Sequence, residues 1–148
     1  MEKYHFNQAK LWLGGAKYIA NYESEDRDKY SIGVAMLVHS VIKANDALTF
    51  KFLNTTARRH DDARRLFEDL VRRNYIKSEF SSYKDIIQEA INNKSNAEYR
   101  VIFFSKNDFE SFKRKAEKFL RMTEQVIDSE KFFKMKPPNR SKLRGIKN

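Results

Sequence analysis

The sequence predicts an all-α protein, built as an antiparallel bundle of about five helices with a short extended segment before the last one. Four glycines and two prolines in 148 residues leave few interruptions. Apolar residues recur every three or four positions along most of the chain, and charged residues, 34% of the total, fill the positions between them. We expect one helical domain over residues 1–130 and a flexible basic tail over residues 131–148.

The first two helices are predicted over residues 5–22 and 30–53. The first has apolar residues at helical spacing and contains the pair Gly14-Gly15. Because two adjacent glycines weaken a helix, we expect this pair to let a neighbouring helix approach closely. Apolar residues cover more than one face of the second helix, which we therefore place at the centre of the bundle. If the protein forms a dimer, we expect an exposed apolar stripe on this second helix.

The third helix is predicted over residues 60–75, where apolar and charged positions alternate most regularly. Ser82 with Asp85 forms the pattern of a capping box and predicts the start of a fourth helix. The polar run at residues 92–96 is expected to end that helix.

An extended connection is predicted over residues 99–104, because this β-branched and aromatic stretch has no partner with which to form a hairpin. Ser105 with Asp108 repeats the capping-box pattern. We therefore expect the last helix to begin there and to continue to about Glu130.

The charge is concentrated at the carboxyl end. The net charge is +10, and the last 18 residues contain seven basic residues and no acidic one. Such an arm, with Lys142 and Arg144 near its end, suits contact with a phosphate backbone. A terminus that only keeps the protein soluble explains the same composition.

Several function classes lack sequence support. The chain has no cysteine, which excludes thiolate zinc sites and favours a cytoplasmic location. His5, His39 and His60 are far apart, so we expect no metal site and no cofactor. We interpret His39 as a packed or interface histidine. No apolar run is long enough to cross a membrane, and we expect no membrane association.

One connection collects residues that could bind or cleave RNA. Between the second and third helices lie Asn54, Thr55, Thr56, Arg58, Arg59 and His60. An imidazole can exchange a proton at neutral pH, and guanidinium groups can hold a phosphate. Alternatively, one of the two threonines caps the third helix, and the basic residues form its solvated first turn.

Four segments resemble the HEPN superfamily of small helical proteins. They are the opening helix NQAKLWLGGAKYIA, the long helix SIGVAMLVHSVIKANDALTFKFL, the third helix HDDARRLFEDLV, and AEYR followed by the last helix FESFKRKAEKFLRMTEQVI. The resemblance spans roughly residues 5–130. It implies a homodimer and, in active members, a metal-independent endoribonuclease in which four to six residues separate an Arg from a His.

The sequence departs from that pattern, since the positions that should hold the Arg before His60 are Leu53, Asn54 and Thr55. The resemblance thus implies an RNA- or nucleotide-associated binding module without a complete ribonuclease motif. Its cleft would be lined by His60, Arg58, Arg59, Asn54, Tyr99 and Arg100, with Lys142 and Arg144 of the tail adding phosphate contacts. Two alternatives stay open: an endoribonuclease that uses His60, and an interaction partner of a nucleotidyltransferase.

Overall fold

The computed structural model describes residues 1–99 and 102–135, and within these ranges it contains helices and no strand. The helices are α1 (Glu2–Ala20), α2 (Asp28–Leu53), α3 (His60–Arg72), α4 (Lys84–Tyr99) and α5 (Lys106–Met135), and a short 3₁₀ helix covers Ser78–Tyr83. The predicted all-α bundle of about five helices is confirmed. No helix of the described part is both long and apolar enough to cross a membrane.

Helix α2 forms the centre of the bundle, as its sequence predicts. It contacts the other four α-helices, and half of its residues are buried. Its apolar residues on several faces are therefore covered within the chain, so the apolar stripe that we expect on α2 for a dimer is largely absent.

Helices α1 and α2 form the closest pair, and their contacts run in opposite order along the two helices. Near the start of α1, Glu2 lies 3.9 Å from the Lys51 ammonium group near the end of α2. Further along α1, the Ala9 carbonyl accepts a 2.8 Å hydrogen bond from the hydroxyl group of Ser40. The two helices are thus antiparallel, while the antiparallel order of the whole bundle stays a prediction.

Several predicted boundaries are wrong, beginning with α1, which covers Glu2–Ala20 rather than residues 5–22. Helix α3 ends at Arg72 rather than at residue 75, and Asn74 then takes a left-handed conformation with φ 65°. The polar run at residues 92–96 does not end α4, which continues to Tyr99. Helix α5 continues to Met135, so residues 131–135, which we assign to the tail, are helical. Residues 136–148 lie outside the described ranges.

The two predicted capping boxes have different outcomes. At the start of α5, the Ser105 hydroxyl accepts a 3.1 Å hydrogen bond from the Asp108 backbone N–H, and the Asp108 carboxylate accepts a 2.9 Å bond from the Ser105 N–H. This box is confirmed. Ser82 instead lies within the 3₁₀ helix that precedes α4, so it is not the residue that opens a new helix.

A close approach between helices occurs at Gly33 and not at the glycine pair of α1. A Cβ atom on Gly33 would lie 2.6 Å from the Phe109 ring of α5, which is buried in the core. A Cβ on Gly15 would lie 3.6 Å from the Met36 sulfur, which is an ordinary contact, and one on Gly14 would meet nothing within 4 Å. The expectation that a neighbouring helix of the same chain needs Gly14 is therefore wrong.

Candidate anion-binding site

The connection between α2 and α3 begins at Asn54, whose backbone conformation is left-handed, and ends at Arg59, just before α3. No side chain caps the start of α3. Asn54 has φ 55°, and its backbone N–H donates to the Phe50 carbonyl, which terminates α2. Arg59 is extended and occupies the N-cap position of α3, but its side chain makes no capping hydrogen bond. The alternative in which Thr55 or Thr56 caps α3 is therefore wrong.

Two buried polar side chains of α2 hold this connection in place. The Asn45 amide group donates a 3.1 Å hydrogen bond to the Ala63 carbonyl in the first turns of α3. The Ala57 backbone N–H acts on the Asp46 carboxyl group and lowers its pKa. Both side chains are buried, and the Asn45 hydrogen bond ties the start of α3, where the connection ends, to α2. We did not predict these residues, although two adjacent polar residues inside an apolar helix are a signal that could have identified them.

Asp46 has an unusual electrostatic environment. Its side chain is 8% exposed, and its Oδ1 atom has no hydrogen-bond partner among the described residues. Burial raises the pKa of this carboxyl group to about 6, although the Lys43 ammonium group and the Ala57 N–H both act in the opposite direction. The carboxylate thus carries a desolvation cost that its neighbours only partly offset.

The basic residues of the connection lie at its surface. Arg58 and Arg59 are exposed, and His60 is half-buried as the first residue of α3. Asp61 and Asp62 follow in the first turn, where they favour the helix dipole and offset the local positive charge. The arginines can reach an anion in solvent, and backbone N–H groups at the helix start add partial positive charge.

The predicted site residues are brought together only in part. Asn54, Arg58, Arg59 and His60 lie along one short connection. Tyr99 is the last residue of α4, and Arg100, Lys142 and Arg144 lie outside the described residues. Their predicted roles stay predictions.

The grooves of the described surface lie away from these basic residues. One groove, of about 560 Å³, is lined by the stacked rings of Phe52 and Tyr75 and by residues of α5. Another, of about 500 Å³, lies between α1 and α5. Neither these two nor three further grooves are lined by Arg58, Arg59 or His60. The three basic residues of the connection therefore lie outside these five grooves.

The other two histidines are packed against aromatic rings. His39 stacks on Trp12 with ring centroids 4.7 Å apart, in agreement with our interpretation of a packed histidine. His5 lies 6.0 Å from the Phe50 ring, and burial, followed by the positive charge of Lys43, lowers its pKa. Within residues 1–99 and 102–135, no three His, Asp or Glu side chains form a group that could hold a metal ion.

Comparison with known proteins yields no assignment. No protein-family model matches the chain, and no curated protein sequence matches it. The resemblance to HEPN proteins therefore rests on the four segments quoted above and stays a prediction.

Proposed function

We propose that this protein is a helical RNA-binding module in which the connection between α2 and α3 contacts the phosphate backbone of a single strand. The observation that carries the proposal is the pair of exposed guanidinium groups, Arg58 and Arg59, on a connection that buried Asn45 and Asp46 fix to the bundle. A fixed connection loses little conformational entropy on binding. Arginine is also the side chain best suited to phosphate, because its planar group can donate two parallel hydrogen bonds.

The position of these basic residues outside the five grooves favours binding over cleavage. Metal-free cleavage of RNA needs a base and a charge-stabilising group that converge on one reacting phosphate. His60 lines none of the five grooves, and no Arg stands at positions 53–55. A surface of this kind suits phosphate contact without sequence preference.

The charge distribution leads us to expect weak, salt-sensitive binding. Asp61 and Asp62 partly offset the two arginines, and the excess of basic residues in the whole chain adds a long-range attraction to the contacts of Arg58 and Arg59. Affinity should then fall steeply with added salt, because each phosphate contact releases counterions.

Fluorescence anisotropy with a labelled single-stranded RNA tests the proposal. In the variant that combines Arg58→Ala and Arg59→Ala, we expect about tenfold weaker binding at low salt, because two charge-assisted contacts are lost. The matched control combines Arg72→Ala and Arg73→Ala. It removes the same charge from exposed side chains at the other end of α3, and we expect it to weaken binding much less.

Two results would contradict the proposal. The parent protein could fail to bind at about 50 mM salt, where non-specific phosphate contacts are strong. Alternatively, both double variants could lose affinity equally, which would mean that only the net charge matters. Cleavage of the RNA in EDTA that is lost in the His60→Ala variant would instead support the endoribonuclease alternative. A homodimer and a nucleotidyltransferase partner, which the resemblance implies, are separate predictions.

A further inference from the structure

The groove of about 560 Å³ at the end of α2 is lined by aromatic rings from two parts of the chain. Phe52 of α2 and Tyr75, which follows α3, stack with their ring centroids 4.8 Å apart and their planes 19° from parallel. Phe80 adds a third ring from the 3₁₀ helix. A cavity of this size lies within the range of sites that bind small organic molecules. We call it the aromatic groove.

The backbone on both sides of Tyr75 fixes the position of its ring. Asn74 is left-handed, with φ 65°, a conformation that asparagine adopts more readily than most residues. The backbone N–H groups of Tyr75 and Ile76 both donate to the Leu70 carbonyl, at 2.9 Å and 3.3 Å. Ile76 is buried in the core, whereas Tyr75 is 45% exposed. The fold thus presents a ring at the surface in a fixed place, which lowers the entropy cost of binding a ligand.

Hydrogen-bonding groups lie beside the rings. Asn74, Gln125 and Ser129 line the aromatic groove, and all three are exposed. Each amide offers donors and an acceptor, and the hydroxyl group can act as either. An aliphatic chain would use the rings but would remove these polar groups from water without replacing their hydrogen bonds. The groove therefore suits a flat ring with a polar edge better than it suits a lipid chain.

We propose that the aromatic groove binds a nucleobase, which stacks on Tyr75 and meets the amide groups of Asn74 and Gln125 with its polar edge. Nucleobases have a flat π-face and carry donors and acceptors along their edges. Stacking on aromatic side chains is the usual way in which proteins hold an unpaired base. Lys77 lines the same groove and is exposed, so it supplies a positive charge for the attached phosphate.

The base can come from a free nucleotide or from an RNA strand. Phe52 lies two residues before Asn54, at which the connection between α2 and α3 begins. A strand that follows this connection from Arg58 and Arg59 towards α2 would reach the aromatic groove. Binding of a base within a strand rests on the proposed RNA binding, whereas binding of a free nucleotide does not.

Two-dimensional ¹H–¹⁵N NMR of the full chain, titrated with adenosine 5′-monophosphate, tests the proposal. We expect the nucleotide to shift the backbone signal of Tyr75 and the side-chain amide signals of Asn74 and Gln125. The expected Kd is about 1 mM, since one stacked base and a few hydrogen bonds contribute a modest affinity. Ribose 5-phosphate has the same sugar and phosphate but no base. At equal concentration, it should leave these signals unchanged.

Substitutions at Tyr75 separate the ring from its surroundings. Tyr75→Leu removes the ring but keeps an apolar side chain at an exposed position, and we expect it to bind the nucleotide about tenfold more weakly. Tyr75→Phe keeps the ring and should bind as the parent does. The matched control is Tyr18→Leu, which removes an exposed ring of α1 that does not line the groove. It should not change the affinity.

Fluorescence anisotropy with the labelled single-stranded RNA distinguishes the two sources of the base. If the base belongs to a strand, Tyr75→Leu should weaken RNA binding about tenfold as well. If the ligand is a free nucleotide, only the affinity for adenosine 5′-monophosphate should fall. Both results support the aromatic groove as a nucleobase site.

Three results would overturn the proposal. The nucleotide could shift none of the groove signals at about 20 mM, well above the expected Kd. Ribose 5-phosphate could shift the same signals equally, or Tyr75→Phe could lose as much affinity as Tyr75→Leu. RNA binding that depends on Arg58 and Arg59 but not on Tyr75, without binding of the nucleotide, would reject this site and leave the proposed function in place.

Discussion

Replacing Asp46 by Asn should stabilise the protein at neutral pH and should have no such effect near pH 4. Burial raises the pKa of this carboxyl group from 3.8 to about 6. At pH 7, keeping the buried group ionised therefore costs about 3 kcal/mol of unfolding free energy. Asparagine has nearly the same shape and no charge, and its carbonyl oxygen can still interact favourably with the Ala57 N–H.

The expected net gain is smaller than this cost. The Asp46 Oδ1 atom has no hydrogen-bond partner among the described residues, so the new amide group would place N–H donors where nothing accepts them. An unmade buried hydrogen bond costs about 1 to 2 kcal/mol. We therefore expect Asp46→Asn to raise the free energy of unfolding by about 1 to 2 kcal/mol at pH 7.5.

The sign of the pH dependence follows from proton binding. Between pH 3.8 and about 6, the folded state holds a proton on Asp46 that the unfolded state has released. The stability contributed by this group is therefore fully present below pH 3.8 and is lost as the pH rises through about 6. His5 acts in the opposite direction, because its lowered pKa favours the folded state at higher pH. Comparing the variant with the parent at each pH cancels the His5 contribution.

Urea unfolding at fixed protein concentration, at pH 7.5 and pH 4, measures the difference. The control is Asp61→Asn, which removes an exposed carboxylate from the first turn of α3 and should cost up to about 1 kcal/mol at pH 7.5. Our reasoning is refuted if Asp46→Asn is less stable than the parent at pH 7.5. It is also refuted if its advantage is the same at both pH values, since that gain could not come from the titration of a carboxyl group.

Two further predictions concern packing and capping. Gly33→Ala should lower the free energy of unfolding by about 1 to 3 kcal/mol, because its Cβ would lie 2.6 Å from the buried Phe109 ring. Gly14→Ala should raise it by up to about 1 kcal/mol in the same urea titration, because a Cβ there would meet nothing within 4 Å. Equal effects at the two glycines would contradict the close approach at Gly33. Ser105→Ala should lower the free energy of unfolding by about 1 kcal/mol, because the Asp108 N–H loses its acceptor. An unchanged unfolding midpoint would show that this cap contributes nothing.

Hydrophobic periodicity was sufficient to predict the helices but not all of their ends. The polar run at residues 92–96 has low helix propensity, yet α4 continues through it. The cost of such residues is only a few tenths of a kcal/mol each. Ile91 and Ala97, on either side of the run, pack against the core, and this packing outweighs the propensity. A local pattern cannot contain that information.

The two Ser-x-x-Asp patterns show the same limit. At Ser105 the preceding chain is neither helix nor strand, so its backbone N–H is available for the reciprocal bond with Asp108. Ser82 comes after four residues that already turn as a 3₁₀ helix. Identical residues at identical spacing therefore cap a helix only where the chain before them leaves the N–H groups without partners.

For the candidate site, the sequence indicated the residue types but not what holds them in place. Arg58, Arg59 and His60 could be selected for their chemistry. Asn45 and Asp46 act on the same connection from more than ten residues away, and this relation exists only because the chain folds back along α2. Contacts between distant segments are what a single sequence does not reveal.

The difference between α1 and α2 shows why apolar periodicity alone cannot identify an interface. Both helices carry apolar residues on more than one face. Those of α2 are covered because four other helices pack around it, whereas α1 packs mainly on α2 and leaves Tyr4, Leu11 and Tyr18 exposed. An apolar face can therefore be assigned to a contact outside the chain only after its neighbours within the chain are known.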